Sequence, residues 1–372
     1  MIKVIEAKTK KQMKLFAKFP IELYKDCPYY VPSFIQDEMN VTNPKKNLSL
    51  GTSEVKCFLA YKDNALVGRI AGIINHDSNK KNNEKCIRFS RIDMIDDIEV
   101  TKALLTAVKE FGKEKGMEVI QGPWGFDDTD REGMLTYGFD EYSSYATAYS
   151  YEYYHKHLEQ LGYEKESEWV ENRVNPHNCD PRFFKVVEML NNRGYRDVAN
   201  EMKPSKVVKK YADAFFECYN KAYAELDNFV KIEGKQMQSV LDTFAVLLNQ
   251  RYFSLIVNKD NKVVAFGVGL PYIGDAIRNA KGDMIKAIPG ILKAKKKPRK
   301  VEMALIGVDP EYRNSGVHAF IVTKFAKNMI EDNLEDSFFD PTLTTNSKML
   351  NTWQGMDLSL RCKRQTYRAR ID

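Results

Sequence analysis

The chain has 372 residues, which is long for one hydrophobic core and suits two domains. Apolar residues make up 43% and charged residues 29%, a balance that excludes a disordered chain. Fifty-seven Lys and Arg against 51 Asp and Glu leave a net charge of +6, and the pI of 8.7 is too low for a dedicated nucleic-acid binder. We therefore expect no nucleic-acid partner.

The cysteines and the start of the chain indicate a cytoplasmic protein. No two of the six cysteines have the CxxC spacing of a metal site, so we expect reduced thiols and no metal. Charged residues interrupt the opening MIKVIEAKTKKQMK before a signal-peptide core can form. No apolar run approaches the roughly 20 residues that a membrane span needs.

The first half predicts a series of strands and helices. Apolar, β-branched runs on either side of Lys62-Asp63-Asn64 predict a β-hairpin over 57–75. A strand from 87, an amphipathic helix over 100–116 and a strand at 119–123 follow. A helix that closes at Gly162 and a polar strand over 166–174 end the series.

The second half repeats this order. Its predicted elements are a hairpin over 253–273 around Lys259-Asp260-Asn261, a strand at 301–308, a helix over 317–333, a strand at 337–341, a helix closing at Gly355 and a polar strand over 360–371. Such a recurrence predicts duplication of a whole domain. Proline and asparagine gather near the join, between 175 and 205. We predict domains over 1–178 and 179–372, each completed by its own closing strand.

This order of elements resembles the GCN5-related N-acetyltransferase (GNAT) superfamily. The superfamily's turn, Arg/Gln-x-x-Gly-x-Gly/Ala, is matched by Arg313-Asn314-Ser315-Gly316-Val317-His318, except that His318 replaces a small residue. The first half also resembles a family of bacterial, mostly uncharacterised GNAT-like proteins, through 19–34, 67–75, 121–123 and 132–140. The resemblance implies an α/β fold with mixed sheets, formed by two tandem GNAT-like acyl-CoA N-acyltransferase domains.

The resemblance implies that the turn after the strand at 301–308 binds acetyl-CoA or a longer acyl-CoA as co-substrate. Backbone N–H groups and the following helix would face the pyrophosphate. Gly316 permits close approach, whereas His318 would either crowd the phosphates or offer another donor. The alternative is a strand-to-helix link without a ligand. The predicted CoA-binding residues are Val308, Arg313, Asn314, Ser315, Gly316, Val317, His318 and Ala319.

The corresponding turn of the first half, 93–99, has no glycine and four acids, which would repel a pyrophosphate. The acyl donor is therefore predicted in the second half, and the acceptor side in the first.

Three residues are candidates for the chemistry. Glu302, at the start of the strand before the turn, stands where the superfamily sometimes places a base, although a strand carboxylate is more often solvated. The superfamily's tyrosine acid is replaced by Asn351 in the second half and by Leu158 in the first. Asn346 and Trp353 are the nearby polar candidates.

Tyrosines are dense over 137–154, which contains seven of them and one phenylalanine. They form either a packed cover over the sheet or an aromatic wall for an elongated acceptor or acyl chain. Charged residues in the stretches that resemble the bacterial family are poor core residues, and together with one further aspartate and one tyrosine they are acceptor-site candidates. These candidates are Arg69, Asp97, Glu132, Asp140 and Tyr154.

The stretch 284–300 has six Lys or Arg among its last eight residues and contains no acid. It is predicted to be either a solvated surface loop or a site of peripheral contact with an anionic membrane or with the phosphates of coenzyme A.

Together these features predict an acyl-CoA-dependent N-acyltransferase. Its acceptor would be the primary amine of a small molecule, a peptide or a lipid, with a lipid or long-chain amine favoured. The alternative is a non-catalytic acyl-CoA or ligand-binding protein on the same duplicated scaffold, which His318 and the missing tyrosine acid would fit.

Overall fold

The computed structural model describes residues 1–127, 130–225, 229, 231–346 and 356–371. The chain forms two compact units. The first comprises Met1–Val170, Ile273–Ile291 and Cys362–Asp372, and the second comprises Glu171–Tyr272 and Leu292–Arg361. The predicted limit at 178/179 lies close to the first of these divisions, whereas 273–291 and 362–372 join the first unit.

Helices and strands are mixed along the described part of the chain. Up to residue 175 they are β1 (Ile2–Glu6), α1 (Lys10–Leu23), α2 (Ile35–Asn40), β2 (Ser53–Lys62), β3 (Ala65–Asn75), α3 (His76–Asn82), β4 (Cys86–Met94), α4 (Ile98–Glu114), β5 (Val119–Gly122), β6 (Met134–Tyr137), α5 (Tyr153–Gln160) and β7 (Glu164–Asn175).

From residue 176 onward they are α6 (Arg182–Asn192), β8 (Arg196–Asp197), α7 (Pro204–Tyr223), α8 (Lys235–Phe244), β9 (Phe253–Val257), β10 (Val263–Pro271), α9 (Gly274–Asn279), α10 (Met284–Lys296), β11 (Lys300–Val308), α11 (Ala319–Glu331), β12 (Asp336–Phe339), β13 (Thr342–Leu343) and β14 (Asp357–Arg370). The helix predicted to close at Gly355, with Asn351 and Trp353, lies outside the described residues.

The sheet of the first unit runs in the order β1, β2, β3, β4, β5, β14. Its first four strands are antiparallel, and β4 pairs in parallel with β5. Helix α4 connects this parallel pair and buries one stripe of side chains, formed by Val100, Leu104, Val108 and Phe111. The predicted hairpin over 57–75 is confirmed.

The second unit repeats this arrangement. Its strands run in the order β8, β9, β10, β11, β12, β7, and β11 and β12 form the parallel pair. Helix α11 connects them and is buried on most of its surface, because α6 packs against it as well. The predicted repetition of hairpin, strand, helix and strand is confirmed.

The closing strands differ from the prediction that each completes its own copy. The last residues of β7 pair with β12 of the second unit, through Arg173 and Phe338. The end of β14 pairs with β5 of the first unit, from Tyr367 opposite Gly122 to Arg370 opposite Val119. Both parallel pairs offer an edge to an antiparallel strand, and the polar pattern of a closing strand does not specify which edge it joins.

Residues 284–296, for which a surface loop was one prediction, form helix α10. Small residues recur at helical spacing on the side opposite its exposed face, where Ala287 is 1% exposed and a Cβ placed on Gly290 would lie 2.7 Å from that of Ala276. Among the described residues, no helix combines the length and apolar character that crossing a membrane requires.

Candidate functional site

The turn between β11 and α11 is built on Asp309, which is 2% exposed. Its backbone N–H donates to the carbonyl of Val264 at 2.9 Å, and its carboxylate accepts from the N–H of Glu311 at 3.1 Å. These bonds fix the first half of the turn. Gly316 then adopts φ = 80°, the left-handed region that favours glycine.

Three consecutive backbone N–H groups at the start of α11 are uncommitted. Within the described residues, no group accepts from the N–H of Gly316, Val317 or His318. Their neighbours are engaged, since the N–H of Ser315 donates to Tyr312 at 3.0 Å and that of Ala319 to Gly316 at 2.9 Å. Free amides at the positive end of a 13-residue helix can hold an anion.

Helix α6 packs against this turn. The ring of His318 meets that of Phe183 edge to face at 5.5 Å between centroids. Burial lowers the pKa of the imidazole, so His318 is neutral at pH 7. A Cβ placed on Gly316 would lie 3.0 Å from Cγ1 of Val186. His318 thus packs against Phe183, and any residue other than glycine at 316 would crowd Val186.

The other predicted donor-site residues have mixed surroundings. The guanidinium of Arg313 donates to Glu225 at 3.0 Å and to the carbonyl of Ala222 at 3.2 Å. Val317 and Ala319 are fully buried, so they can offer a ligand only their main chain. Val308 ends β11 and is half-buried, and Asn314 is exposed.

Strand β11, which leads to the turn, is longer than the strand that pairs with it in parallel. In register, β11 and β12 pair from Lys300 opposite Asp336 to Met303 opposite Phe339. Strand β12 ends there, whereas β11 continues to Val308. Residues 304–308 of β11 therefore lie beyond the end of β12.

Glu302 lies in the paired part of β11, opposite Phe338, and is 5% exposed. A buried carboxylate at this position has the chemical type of a general base. Asn346 is half-buried, and its N–H donates to the carbonyl of Leu343 at 3.0 Å.

The equivalent turn of the first unit is satisfied internally. Asp97 caps α4 by accepting from the N–H of Glu99 at 3.0 Å, and its other oxygen accepts from Lys62 at 2.7 Å. Asp96 lies 3.2 Å from Nε2 of His157. A protein carboxylate therefore occupies the helix end that would otherwise face an anion.

A buried ionic network, which we call the Arg69 network, lies in the first unit. Nε of Arg69 donates to Asp93 at 2.7 Å, and NH1 donates to Glu38 at 2.7 Å. The hydroxyl oxygen of Tyr24 lies 3.2 Å from a carboxylate oxygen of Asp93 and 2.7 Å from the hydroxyl oxygen of Tyr154, so it can donate to one of them at a time. The structure thus brings together two predicted site residues, Arg69 and Tyr154, through Asp93 and Tyr24.

A β-bulge in β4 extends the network. Arg69 pairs with Asp93 and Ala71 with Ser90, which leaves one extra residue in β4, and Arg91 there has φ = 49°. Its side chain donates to Glu38 at 3.2 Å and to Asp130 at 3.1 Å.

In the Arg69 network, burial raises the pKa of the carboxylates, whereas the neighbouring guanidinium groups lower it. Burial would raise the pKa of Glu38, but Arg69, Arg91 and Arg131 hold it at about 2. Burial raises the pKa of Asp93 despite the neighbouring Arg69. Burial also raises the pKa of Tyr24 and Tyr154, so both hydroxyls stay neutral.

Sequence reasoning missed Glu38, Asp93, Arg91 and Tyr24. A signal was present in IRFSRIDMI, where two arginines and an aspartate interrupt an otherwise apolar strand. Charges in a buried strand need partners, but the partners lie far away in sequence.

The contacts described for the remaining predicted acceptor-site residues do not include Arg69. Glu132 accepts from the indole N–H of Trp124 at 2.8 Å, and Asp140 is exposed. Tyrosines of the 137–154 stretch pack on one another and on Tyr24, as in the pair Tyr24 and Tyr149 at 5.7 Å. In the described ranges, no group of three or more His, Cys, Asp or Glu could hold a metal ion.

Comparison with known sequences gives two relatives that span most of the chain. Protein YghO of Escherichia coli (strain K12) is 27% identical over 360 residues, covering 92% of this chain and 89% of that protein. Bacterial ceramide synthase of Caulobacter vibrioides is 23% identical over 296 residues, covering 76% of this chain and 73% of that enzyme. No protein-family model matches the chain.

Comparison with solved structures identifies the fold. A tandem GNAT protein from the clavulanic acid biosynthesis pathway superposes with a TM-score of 0.55 at 11% identity, covering 100% of this chain and 99% of that one. A GCN5-related N-acetyltransferase from Sphaerobacter thermophilus gives a TM-score of 0.53 at 10% identity, with coverage of 100% and 96%. The predicted fold class, two tandem GNAT-like domains with mixed sheets, is confirmed.

Proposed function

We propose that this chain, whose fold is that of the tandem GNAT proteins, is an N-acyltransferase that moves an acyl group from acyl-coenzyme A to a primary amine. The observation that carries the proposal is the row of N–H groups at Gly316, Val317 and His318, which have no acceptor in the part of the chain that the structure describes and lie at the positive end of α11. The equivalent helix end of the first unit is capped by Asp97, which supports one donor site, in the second unit.

In this proposal the amides of 316–318 bind the pyrophosphate of the donor. Residues 308–319 surround it, with Arg313 and Asn314 at the rim. The acyl-pantetheine arm would then lie along the part of β11 that continues beyond its pairing with β12. The acyl chain is that of acetyl-CoA or a longer acyl-CoA.

The reaction needs one proton acceptor near the amine. The amine nitrogen attacks the thioester carbonyl carbon, a C–N bond forms, and the C–S bond breaks to release the coenzyme A thiolate. We assign the base that takes the amine proton to Glu302, on β11, and a polar role near the leaving group to Asn346. The released thiolate takes up a proton from solvent.

The proposed acceptor is a long-chain amine. Bacterial ceramide synthase, by its name, makes a product in which a long-chain amino alcohol carries an amide-linked acyl group, and this chain is similar to it over 76% of its length. We keep Arg69, Asp97, Glu132, Asp140 and Tyr154 as proposed acceptor-side residues. Arg69 and Tyr154 are the two that share the Arg69 network.

Calorimetric titration with acetyl-CoA and palmitoyl-CoA tests donor binding. Gly316→Ala should abolish the heat of binding, because the new methyl group lies against Val186 and the left-handed backbone is disfavoured. Gly162→Ala is the matched control, since Gly162 has φ = 79° with open space around it. It should bind acyl-CoA as the wild type does.

Thermal unfolding provides a second readout of binding. Acyl-CoA at about 100 times its dissociation constant should add roughly 2.7 kcal/mol of stability to the wild type. Equal binding by Gly316→Ala and the wild type would place the donor elsewhere. Binding without amide formation from palmitoyl-CoA and sphinganine, or another amine, would support the non-catalytic alternative.

A further inference from the structure

Helix α10 exposes most of its large apolar side chains, whereas its small residues are buried or half-buried. The relative exposure is 80% for Ile285, 46% for Ile288 and 54% for Leu292, whereas Ala287 is 1% exposed. The spacing of the three exposed residues, three and then four, places them in one stripe. A helix whose only partner is its own protein turns its large apolar side chains inward. The stripe therefore has the composition of a contact surface.

Lysines flank the apolar stripe at its C-terminal end. Lys293, Lys296 and Lys297 are exposed, and no carboxylate among the described residues pairs with them. The whole stretch 284–300 contains no acid. An apolar stripe bordered by unneutralised lysines complements a bilayer surface that carries anionic headgroups, because the apolar side chains enter the acyl boundary and the ammonium groups remain among the phosphates.

The length of the helix agrees with a position in the plane of the membrane. Its 13 residues span about 20 Å at 1.5 Å per residue, less than the roughly 30 Å of a bilayer core. A helix of this length with one exposed apolar stripe can lie in the interface but cannot cross it.

We propose that α10 docks the protein on membranes that contain anionic lipid, with Ile285, Ile288 and Leu292 inserted and Lys293, Lys296 and Lys297 at the headgroups. This property does not depend on the proposed acyl transfer. If both hold, the enzyme would work where a long-chain amine resides.

The test is flotation of the full chain with vesicles of phosphatidylcholine alone and vesicles that also contain phosphatidylglycerol. The wild type should float with the anionic vesicles, and less so as salt is added. The variant Ile285→Ser/Ile288→Ser/Leu292→Ser should lose at least about tenfold in partitioning to them. Its control is Leu15→Ser/Leu48→Ser, which removes leucines that are 40% and 49% exposed elsewhere, and which should float as the wild type does.

A second variant tests the charge. Lys293→Glu/Lys296→Glu/Lys297→Glu should weaken partitioning to anionic vesicles by roughly a hundredfold or more. The same change at the exposed residues Lys11, Lys14 and Lys18 of α1 is the control and should have little effect.

Two results would overturn the proposal. One is equal flotation of the wild type and the serine variant. The other is a concentration-dependent dimer that the serine variant abolishes, since the stripe would then be a protein interface. All these side chains are exposed, so thermal unfolding of every variant should match the wild type. The assay contains no acyl donor, so its failure leaves the proposed transferase untouched.

Discussion

Arg69 is the residue on which the buried charges of the first unit converge. Its guanidinium contacts both Asp93 and Glu38, and the side-chain exposures of these three residues are 6%, 10% and 7%. Removing one partner from a buried pair is far more costly than the pair itself is stabilising, because the remaining charge cannot recover its hydration. The network is therefore a sensitive point of the fold.

We expect Arg69→Met to lower the free energy of unfolding by about 3–5 kcal/mol, since it leaves two carboxylates without their main partner. Urea unfolding measures the change. Lys25→Met is the control, because Lys25 forms an exposed pair with Glu22 and should contribute little. A small loss in Arg69→Met would mean that Arg91 and water satisfy both carboxylates.

The decrease in the free energy of unfolding at low pH should depend on Glu38. Its pKa of about 2 in the folded protein lies below the ordinary 4.5, so the ionised form stabilises the fold above about pH 5. This contribution, on the order of 3 kcal/mol, is lost as the pH falls towards 2. The raised pKa of Asp93 acts in the opposite direction and reduces the net effect.

Urea unfolding at several pH values, on the wild type and Glu38→Gln, measures this dependence. The variant should be less stable at neutral pH, and its stability should fall less between about pH 5 and 2. Parallel pH profiles for the two proteins would show that other carboxylates govern acid unfolding.

At the scale of elements, the N-terminus of α4 shows how a single side chain can determine whether a helix end is capped by the protein or left available to an anion. Asp97 caps this helix, whereas the equivalent end of α11 has Gly316 and amides for which the described residues offer no acceptor. Asp97 was predicted to bind substrate, and its contacts allow capping and charge to be tested separately.

We expect Asp97→Ala to lower the free energy of unfolding by about 1 kcal/mol, the usual effect of losing an N-cap. Asp97→Asn keeps the capping oxygen and removes the charge, so its stability should be close to that of the wild type. Chemical denaturation compares the two. Loss of amide-forming activity in Asp97→Asn, with stability retained, would support the predicted acceptor role.

The elements that sequence analysis predicted well are those specified by adjacent residues. The first hairpin turns at Asp63 and Asn64, with φ of 51° and 66°, as a two-residue turn between twisted strands requires. In the second, the side chain of Asn258 accepts from the N–H of Asp260 and of Lys262 at 3.0 Å. The signal for each turn is therefore complete within a few residues.

Features set by distant residues were not predictable in this way. The Gly316 turn follows from a local pattern, but the meeting of Arg69 with Glu38 depends on how α2 packs, and the left-handed Arg91 on a bulge in β4. The pairing of the closing strands likewise depends on a choice between two similar sheet edges. Local sequence does not encode such choices.

At the scale of the whole molecule, the position of β14 makes the first unit depend on a distant part of the chain. Tyr367 is fully buried in its core and lies opposite Gly122 of β5. We expect residues 1–178, expressed alone, to lack a cooperative unfolding transition, because the β5 edge and the core site of Tyr367 are left open.

Joining residues 357–371 to that fragment through a flexible linker should restore part of the transition, which circular dichroism during heating would reveal. A scrambled copy of the same residues is the control. Cooperative unfolding of the bare fragment would show that β5 does not need this strand.

The pairing of β14 with β5 also determines when the sheet of the first unit can be completed during synthesis. Residues up to 170 leave the ribosome long before 362–371 do, and at about 5–20 residues per second the interval is on the order of ten to forty seconds. Throughout it, the nascent sheet presents the unpaired main chain of β5 to its surroundings. Slower translation of the second unit would prolong the time for which β5 is unpaired. Holdase chaperones would bind the nascent chain at this strand.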